Sequence, residues 1–421
     1  MIKVSEALEK KTGQATLRGW VYRVRKLKGK VFVFLRDASG HMQVILDLAK
    51  TPEAEKLTQE SSLEVSGDLK ADERAPGGAE LHATSLKIHQ VAERFPIEGG
   101  ESEAFLLDNR HLWLRAQEQN AIMKVRDTVF QSARDYFHEE GFYEVTPPLI
   151  VGGAVEGGST LFEMKYFDGT AFLSQSAQLH LEAMCFNLEK VFSFSDSFRA
   201  EKSRTRRHLA EFTHLEGEMA WMGQEENMQV QEGLVKAMVK GVMEKNPKEL
   251  QALGRKNPKE LEAFLGDFER IKYQEALDIM NKDKVPMKWG DDFGADEERV
   301  LTKHFDKPFF ITGFPREIKA FYMRSDPTDP RVVLGADLLA PEGYGEIIGG
   351  SERELDIQSM KDRLGNIDTK PYEWYFDLRR YGSVQHSGFG LGIERVIMWL
   401  CKLEHIRDTI PFPRVLNRAY P

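Results

Sequence analysis

From Lys190 to Trp221 the chain alternates apolar and polar residues, with one polar break. The stretches "KVFSFSDSFRAE" and "HLAEFTHLEGEMAW" flank "KSRTRR", a pattern that predicts a long antiparallel hairpin. A period of two places Arg199 and Glu201 on one face of the first strand. It places His208, Phe212, His214, Glu216 and Glu218 together on the second. Charges and an aromatic ring gathered on one sheet face do not suit a core, because unpaired charge is costly to bury. A solvated face with surface ion pairs would accommodate them. Apolar residues on the opposite face, and long apolar segments on either side, favour a covered face that holds a ligand. There Arg199 suits a phosphate or carboxylate, Phe212 a stacked base, and the loop arginines a polyphosphate.

The chain has 421 residues, room for two or three domains with their own cores. At 41% hydrophobic and 30% charged, its composition is that of a globular protein in water. Its two cysteines, Cys185 and Cys401, give no disulfide framework and no CxxC zinc signature, which points to a reducing, cytoplasmic setting. The opening "MIKVSEALEKK" has no apolar core of a signal peptide, and no stretch is apolar enough for a membrane span. A net charge of −9 argues weakly against nucleic acid as a partner. The first 36 residues nevertheless hold ten Lys and Arg against two Glu, a local basic patch.

Three stretches follow one another. Residues 1–93 contain five short alternating segments, "ATLRGWVYRVRK", "KVFVFLRD", "HMQVILDL", "SLEVSGDL" and "ELHATSLKIHQV", with one helix-like insert, "TPEAEKLTQE". This suits a five-stranded barrel of the OB type, or another small β-barrel. Residues 94–118 are expected to form a hinge. Residues 119–421 mix strands and helices, an α+β pattern, with a helical insert over about 222–285. Within it "KNPKELQALGR" is followed by "KNPKELEAFLG". Each Asn-Pro reads as a helix cap and first turn, giving two packed surface helices without chemistry.

The opening hairpin resembles motif 2 of the class II aminoacyl-tRNA synthetases, in the subgroup for aspartate, asparagine and lysine. Two further stretches resemble the same family: "GFYEVTPPLI" (141–150) its motif 1, ending in Pro148, and "GFGLGIERVIMWL" (388–400) its motif 3, with Arg395 at the start of a helix. Three motifs in order behind an OB-like domain make a specific resemblance that covers essentially the whole chain. It implies an antiparallel catalytic sheet of about six strands flanked by helices. It also implies a homodimer formed through motif 1, and ATP-dependent activation of an amino acid followed by transfer to tRNA.

The resemblance also implies roles. Arg199 is the catalytic residue, bridging the substrate carboxylate and the α-phosphate. Arg207 and His208 take the phosphate tail. Arg395 and Phe212 enclose the adenine, and Glu201 accepts from its amino group. Asp337 and Glu346 are the metal carboxylates, hard oxygen ligands that with a triphosphate mean Mg²⁺. Glu156 and Gln178 hold the substrate ammonium group. Gly349, with Gly350, lets backbone approach the ligand, and Arg353 meets the side-chain oxygen of the substrate.

Leu181 stands where the aspartate enzymes carry a lysine, and Glu216 where they usually show Asp. A neutral wall and a carboxylate suit an amide and repel a carboxylate, so L-asparagine and tRNA(Asn) are the expected substrates with ATP. A core leucine is the other reading of Leu181. An aspartate enzyme of relaxed tRNA choice is one alternative. A paralogue making free asparagine is another, disfavoured because such relatives lack the N-terminal domain. In the barrel, the resemblance makes Phe32 the base-stacking ring, Gln43 the partner of the central uridine and Arg25 a phosphate contact. One of Phe32 and Phe34 is expected to belong to the barrel core.

Overall fold

Alternating apolar side chains close the first unit, Met1–Leu112, into a five-stranded barrel. Its strands are β1 (Gly13–Leu27), β2 (Lys30–Arg36), β3 (His41–Asp47), β4 (Ser62–Ala71) and β5 (Ala79–Gln90), in the order β1-β2-β3-β5-β4. Leu17, Val31, Val33, Leu35, Met42, Val44, Leu46, Val65 and Leu81 point inward and form the core. Burial of each such side chain contributes about 1.5–3 kcal/mol. The helix-like insert is a single 3₁₀ turn, Pro52–Lys56. One expectation fails here. Phe32 and Phe34 do not divide between core and surface, since residues two apart on a strand share a face, and Val31, Val33 and Leu35 fill the inside. Both rings lie on the outer face, where Phe34 stacks on His41 with centroids 5.3 Å apart.

This computed structural model describes residues 1–153, 160–202 and 205–421. In the second unit, Trp113–Pro421, the strands are β6 (Tyr143–Glu144), β7 (Ile150–Val151), β8 (Glu163–Tyr166), β9 (Gly169–Leu173), β10 (Lys190–Phe198), β11 (Glu211–Ala220), β12 (Glu269–Lys272), β13 (Phe309–Thr312), β14 (Gly335–Ala340), β15 (Gly345–Glu352) and β16 (His386–Gly392). Eight of them make one sheet, ordered β12-β13-β14-β15-β16-β11-β10-β6. The central six are antiparallel as expected, and β12 and β6 add a parallel strand at each edge. The remaining three form a small sheet, β7-β9-β8.

The predicted hairpin is β10–β11, paired from Lys190 opposite Met219 to Phe198 opposite Glu211. Arg199 and Glu201 therefore lie just past the ladder. The helices Gln117–Glu139, Gln224–Lys245 and Ile393–Leu400 share the main core with the sheet: Val125, Val129, Leu234, Met238 and Ile397 cluster with Phe192, Leu215, Ile348 and Leu391.

The stretch 94–118, read as a hinge, contains the short helices Glu103–Asp108 and Arg110–Trp113. The insert read as helical also supplies strand β12. Its Asn-Pro copies begin the short helices Pro247–Ala252 and Pro258–Leu265, and Leu250, Leu261 and Phe264 join the main core. They are less superficial than their polar sequence suggests. Among the described residues no helix is long and apolar enough to cross a membrane.

Register creates the site. Asp337, Gly349, Gly390, Glu216 and Ser193 are successive neighbours across β14, β15, β16, β11 and β10. Two glycines in the middle leave a trough between two carboxylates, three strand spacings or about 14 Å apart. A bulge adds to it. Leu338 faces Ile348 but Leu339 faces Glu346, so Ile347 is an extra residue, and Glu346 turns onto the face of Gly349.

Candidate active site

Two cavities meet over this trough. The first, about 350 Å³, is lined by Ser176, Gln178, Leu181, Glu216, Glu218, Lys319, Asp337, Gly349 and Arg353 among others. The second is lined by Arg207, His208, Phe212 and Arg395. Arg199, His214, Glu346 and Gly390 line both.

In the first cavity Arg353 is buried and forks onto Glu218, Nε to Oε1 at 2.9 Å and Nη2 to Oε2 at 2.8 Å. Its Nη1 donates to Ser351 Oγ at 3.0 Å. A Cβ at Gly388, opposite Glu218 in the sheet, would lie 1.8 Å from Glu218 Oε2, which is why motif 3 must carry glycine there. Behind the fork lies Glu182, fully buried on the helix Gln178–Leu188. It accepts from Arg379 Nη2 at 2.7 Å, Tyr375 Oη at 2.8 Å and Gln178 Nε2 at 3.1 Å, and it faces His386 Nε2 at 3.1 Å. Burial alone would raise its pKa, but Arg379, then His386 and Arg353, hold it well below the usual carboxylate range. Glu218 moves the other way, because its burial outweighs Arg353. Glu182 faces more donors and is the more firmly ionised of the two.

Glu216 reaches the same cavity with both oxygens engaged, by Ser176 Oγ at 2.5 Å and the Ala177 N–H at 2.7 Å. Leu181 lines the first cavity and packs against Cys185, Val191 and Ala220. Glu156 lies outside the described residues.

In the second cavity the Arg199 guanidinium sits 5.4 Å from the Phe212 ring centroid. Arg395 Nη1 donates to Glu346, to its carbonyl at 3.0 Å and Oε2 at 3.1 Å. Arg207 donates to the Glu346 carbonyl at 2.9 Å and to Glu298 at 2.5 Å. His208 faces Glu201 at 3.4 Å, so these two expected ATP residues are paired with each other. Burial would raise the Glu346 carboxyl, but Arg395, Lys319 and Arg207 hold it down to about 2.

Asp337 lines the first cavity beside Glu346. Its Oδ2 accepts from Lys319 at 2.5 Å, yet burial pushes its carboxyl up to about 6, with Glu346 adding repulsion. A Cβ on Gly349 would sit 3.3 Å from Glu346 Oε1 and 3.7 Å from Asp337 Oδ1, so one oxygen of each carboxylate flanks that backbone. Two crowded hard oxygens fit a small divalent cation.

Sequence reasoning missed two residues that line the first cavity, Glu218 and Lys319, and two buried carboxylates that hold cavity residues from behind, Glu182 and Glu298. Alternation placed Glu218 on the right face, and Lys319 stood alone among apolar residues in "IKAFYM". Nothing local marked Glu182 or Glu298, whose partners lie far away in sequence.

On the barrel, Arg25 is the cross-strand neighbour of Phe32, and Phe34 that of Gln43. All four are on the outer face, and Gln43 Nε2 donates to Glu80 at 2.7 Å.

Residues 102–416 match the family described as tRNA synthetases class II (D, K and N). The chain belongs to the class II aminoacyl-tRNA synthetases. Residues 15–88 of this synthetase match an OB-fold nucleic acid binding domain. Its sequence is 54% identical to asparagine–tRNA ligase of Thermococcus gammatolerans, over 96% of this chain and 95% of the relative. Its fold superposes on asparaginyl-tRNA synthetase from Pyrococcus horikoshii complexed with asparaginyl-adenylate, with a TM-score of 0.96 at 51% identity, covering 100% of this chain and 99% of that one. The asparaginyl-tRNA synthetase of Entamoeba histolytica, also in complex with asparaginyl-adenylate, gives 0.88 at 33% identity over 97% of both chains.

Proposed function

We propose that this synthetase activates L-asparagine with ATP and transfers it to tRNA(Asn). The observation that carries the reading is the position of Arg199 where the two cavities join. A carboxylate in one and an α-phosphate in the other both face its guanidinium, which offsets their repulsion as the substrate oxygen attacks phosphorus and pyrophosphate leaves. The 3′-terminal adenosine hydroxyl then attacks the adenylate carbonyl, and AMP departs.

Phe212 and Arg395 enclose the adenine, and Glu201 accepts from its amino group. His208 and Arg207 meet the phosphate tail. Asp337 and Glu346 would hold Mg²⁺, which would offset phosphate charge. Gln178 and Glu156 receive the ammonium group, and Gly349 lets the chain pass close to the substrate.

The side-chain end favours an amide. Arg353 is already neutralised by Glu218, so it offers N–H donors rather than net charge. Leu181 adds no cation, and Glu216 presents a carboxylate to the amide NH₂. An aspartate side chain would bring one more negative charge into a buried site without a counter-charge.

Arg25, Phe32 and Gln43 form the anticodon surface. Tyr143, Leu149 and Ile150 of motif 1 are exposed apolar residues, which suits a homodimer joined there. Two buried, unpaired cysteines suit the cytoplasm. Amino-acid-dependent exchange of labelled pyrophosphate into ATP tests the activity. Exchange with asparagine and none with aspartate is expected, and comparable kcat/KM for the two would overturn the asparagine assignment.

A further inference from the structure

The segment that carries the repeated "KNPKEL" lines neither cavity. Arg255 lies between the two copies and has no exposed surface. A buried guanidinium must place its N–H groups on acceptors. This one forks onto Glu342, Nη1 to Oε1 at 3.1 Å and Nη2 to Oε2 at 2.7 Å. It also donates to the Leu400 and Trp399 carbonyls, each at 2.9 Å.

Both partners lead to the second cavity. Glu342 is in the turn between β14 and β15, four residues before Glu346. Leu400 and Trp399 end the helix whose first turn carries Arg395. A cation on these last carbonyls complements the helix dipole and fixes the helix along its axis.

The same turn is held from its other end. Glu298, on the buried side of the helix Ala295–Leu301, accepts the Glu346 N–H at 2.9 Å and Arg207 Nη1 at 2.5 Å. Arg207 and Arg395 in turn donate to the Glu346 carbonyl. The backbone of Glu346 is thus gripped on both sides of its Cα, at its N–H and at its C=O, which fixes the direction of its side chain. Arg255 and Glu298 line neither cavity, so any effect they have passes through Glu346, Arg207 and Arg395.

We propose that residues 246–301 brace the phosphate side of the site, with Arg255 and Glu298 as positioning residues that hold Glu346 and Arg395 for ATP. This rests on reading that cavity as the ATP site. The insert is then a selective support. It acts chiefly on ATP affinity: Arg255 and Glu298 do not line the asparagine cavity, to which this segment contributes Asp292, and Glu346 is the residue shared by both cavities that they hold.

The test is calorimetric titration of the full-length protein with ATP in the presence of Mg²⁺, for wild type, Arg255→Met and Glu298→Gln. It is paired with KM for ATP and for asparagine in pyrophosphate exchange. At least a tenfold rise in ATP Kd and KM is expected in both variants, with the asparagine KM within twofold of wild type. An unchanged ATP Kd, or equal losses for ATP and asparagine, would overturn the brace. If Arg255→Met does not fold, the isosteric Glu298→Gln decides alone. Wild type that binds no ATP would instead remove the site reading, and the brace with it.

Discussion

Arg353 commits two of its N–H groups to Glu218, at 2.9 and 2.8 Å, so the guanidinium that lines the first cavity carries its counter-charge with it. Glu218→Gln keeps the shape and removes the compensation. Breaking a buried pair in this way costs about 3–5 kcal/mol of stability. Glu182, 3.8 Å away, is shared with Arg379, so the cluster gains one net positive charge that attracts a carboxylate. The ratio of asparagine to aspartate use, read by pyrophosphate exchange with each amino acid, should fall at least tenfold. A ratio equal to wild type would mean that Arg353 does not read the side chain.

Arg199 and Arg395 should each be indispensable for adenylate formation. Removing a preorganised group that stabilises developing charge costs about 2.7–4 kcal/mol, or roughly 10²–10³ in rate. Arg199→Ala and Arg395→Ala are expected to lose exchange to at least that extent and to keep wild-type thermal unfolding. Near-normal exchange in either variant contradicts its assigned role.

Barrel substitutions should separate the two half-reactions. Phe32→Ala and Gln43→Ala are expected to weaken aminoacylation of tRNA by about 1–3 kcal/mol per lost stacked base or base contact, with exchange intact. Glu80→Ala, which releases Gln43 from its 2.7 Å bond, should give a smaller loss in the same assay. Parallel loss of exchange would instead make the barrel a structural support.

The acid limb of stability should report Glu182. Burial opposes its charge, but Arg379, His386 and Arg353 keep its folded pKa below the ordinary value of 4.5. A lowered folded pKa means that its stabilisation is complete above pH 4.5 and is lost as the pH falls below that value. Thermal unfolding followed from pH 7 to pH 3 should show a steeper loss of Tm below about 4.5 in wild type than in Glu182→Gln. Equal slopes would show that Glu182 is not held ionised.

How far the sequence led can be seen residue by residue. Alternation is a local property, so it was enough to place β1–β5, the β10–β11 hairpin, and Phe212, His214, Glu216 and Glu218 on one face. The resemblance to motifs 2 and 3 brought Arg199 and Arg395 to the same expected site, and the tertiary structure lines one cavity with both. Period two also carried the answer for Phe32 and Phe34, which share the outer face because Val31, Val33 and Leu35 take the inner one.

What the tertiary structure alone decided depends on pairing between distant segments. The extra residue at Ile347, visible only against the register of β14, turns Glu346 toward Gly349 and Asp337. Glu218 became the partner of Arg353, and Arg255 and Glu298 became supports of Glu346, only once strands and helices far apart in sequence were packed together. A buried charge finds its counter-charge through space, and the order of residues along the chain does not encode that distance.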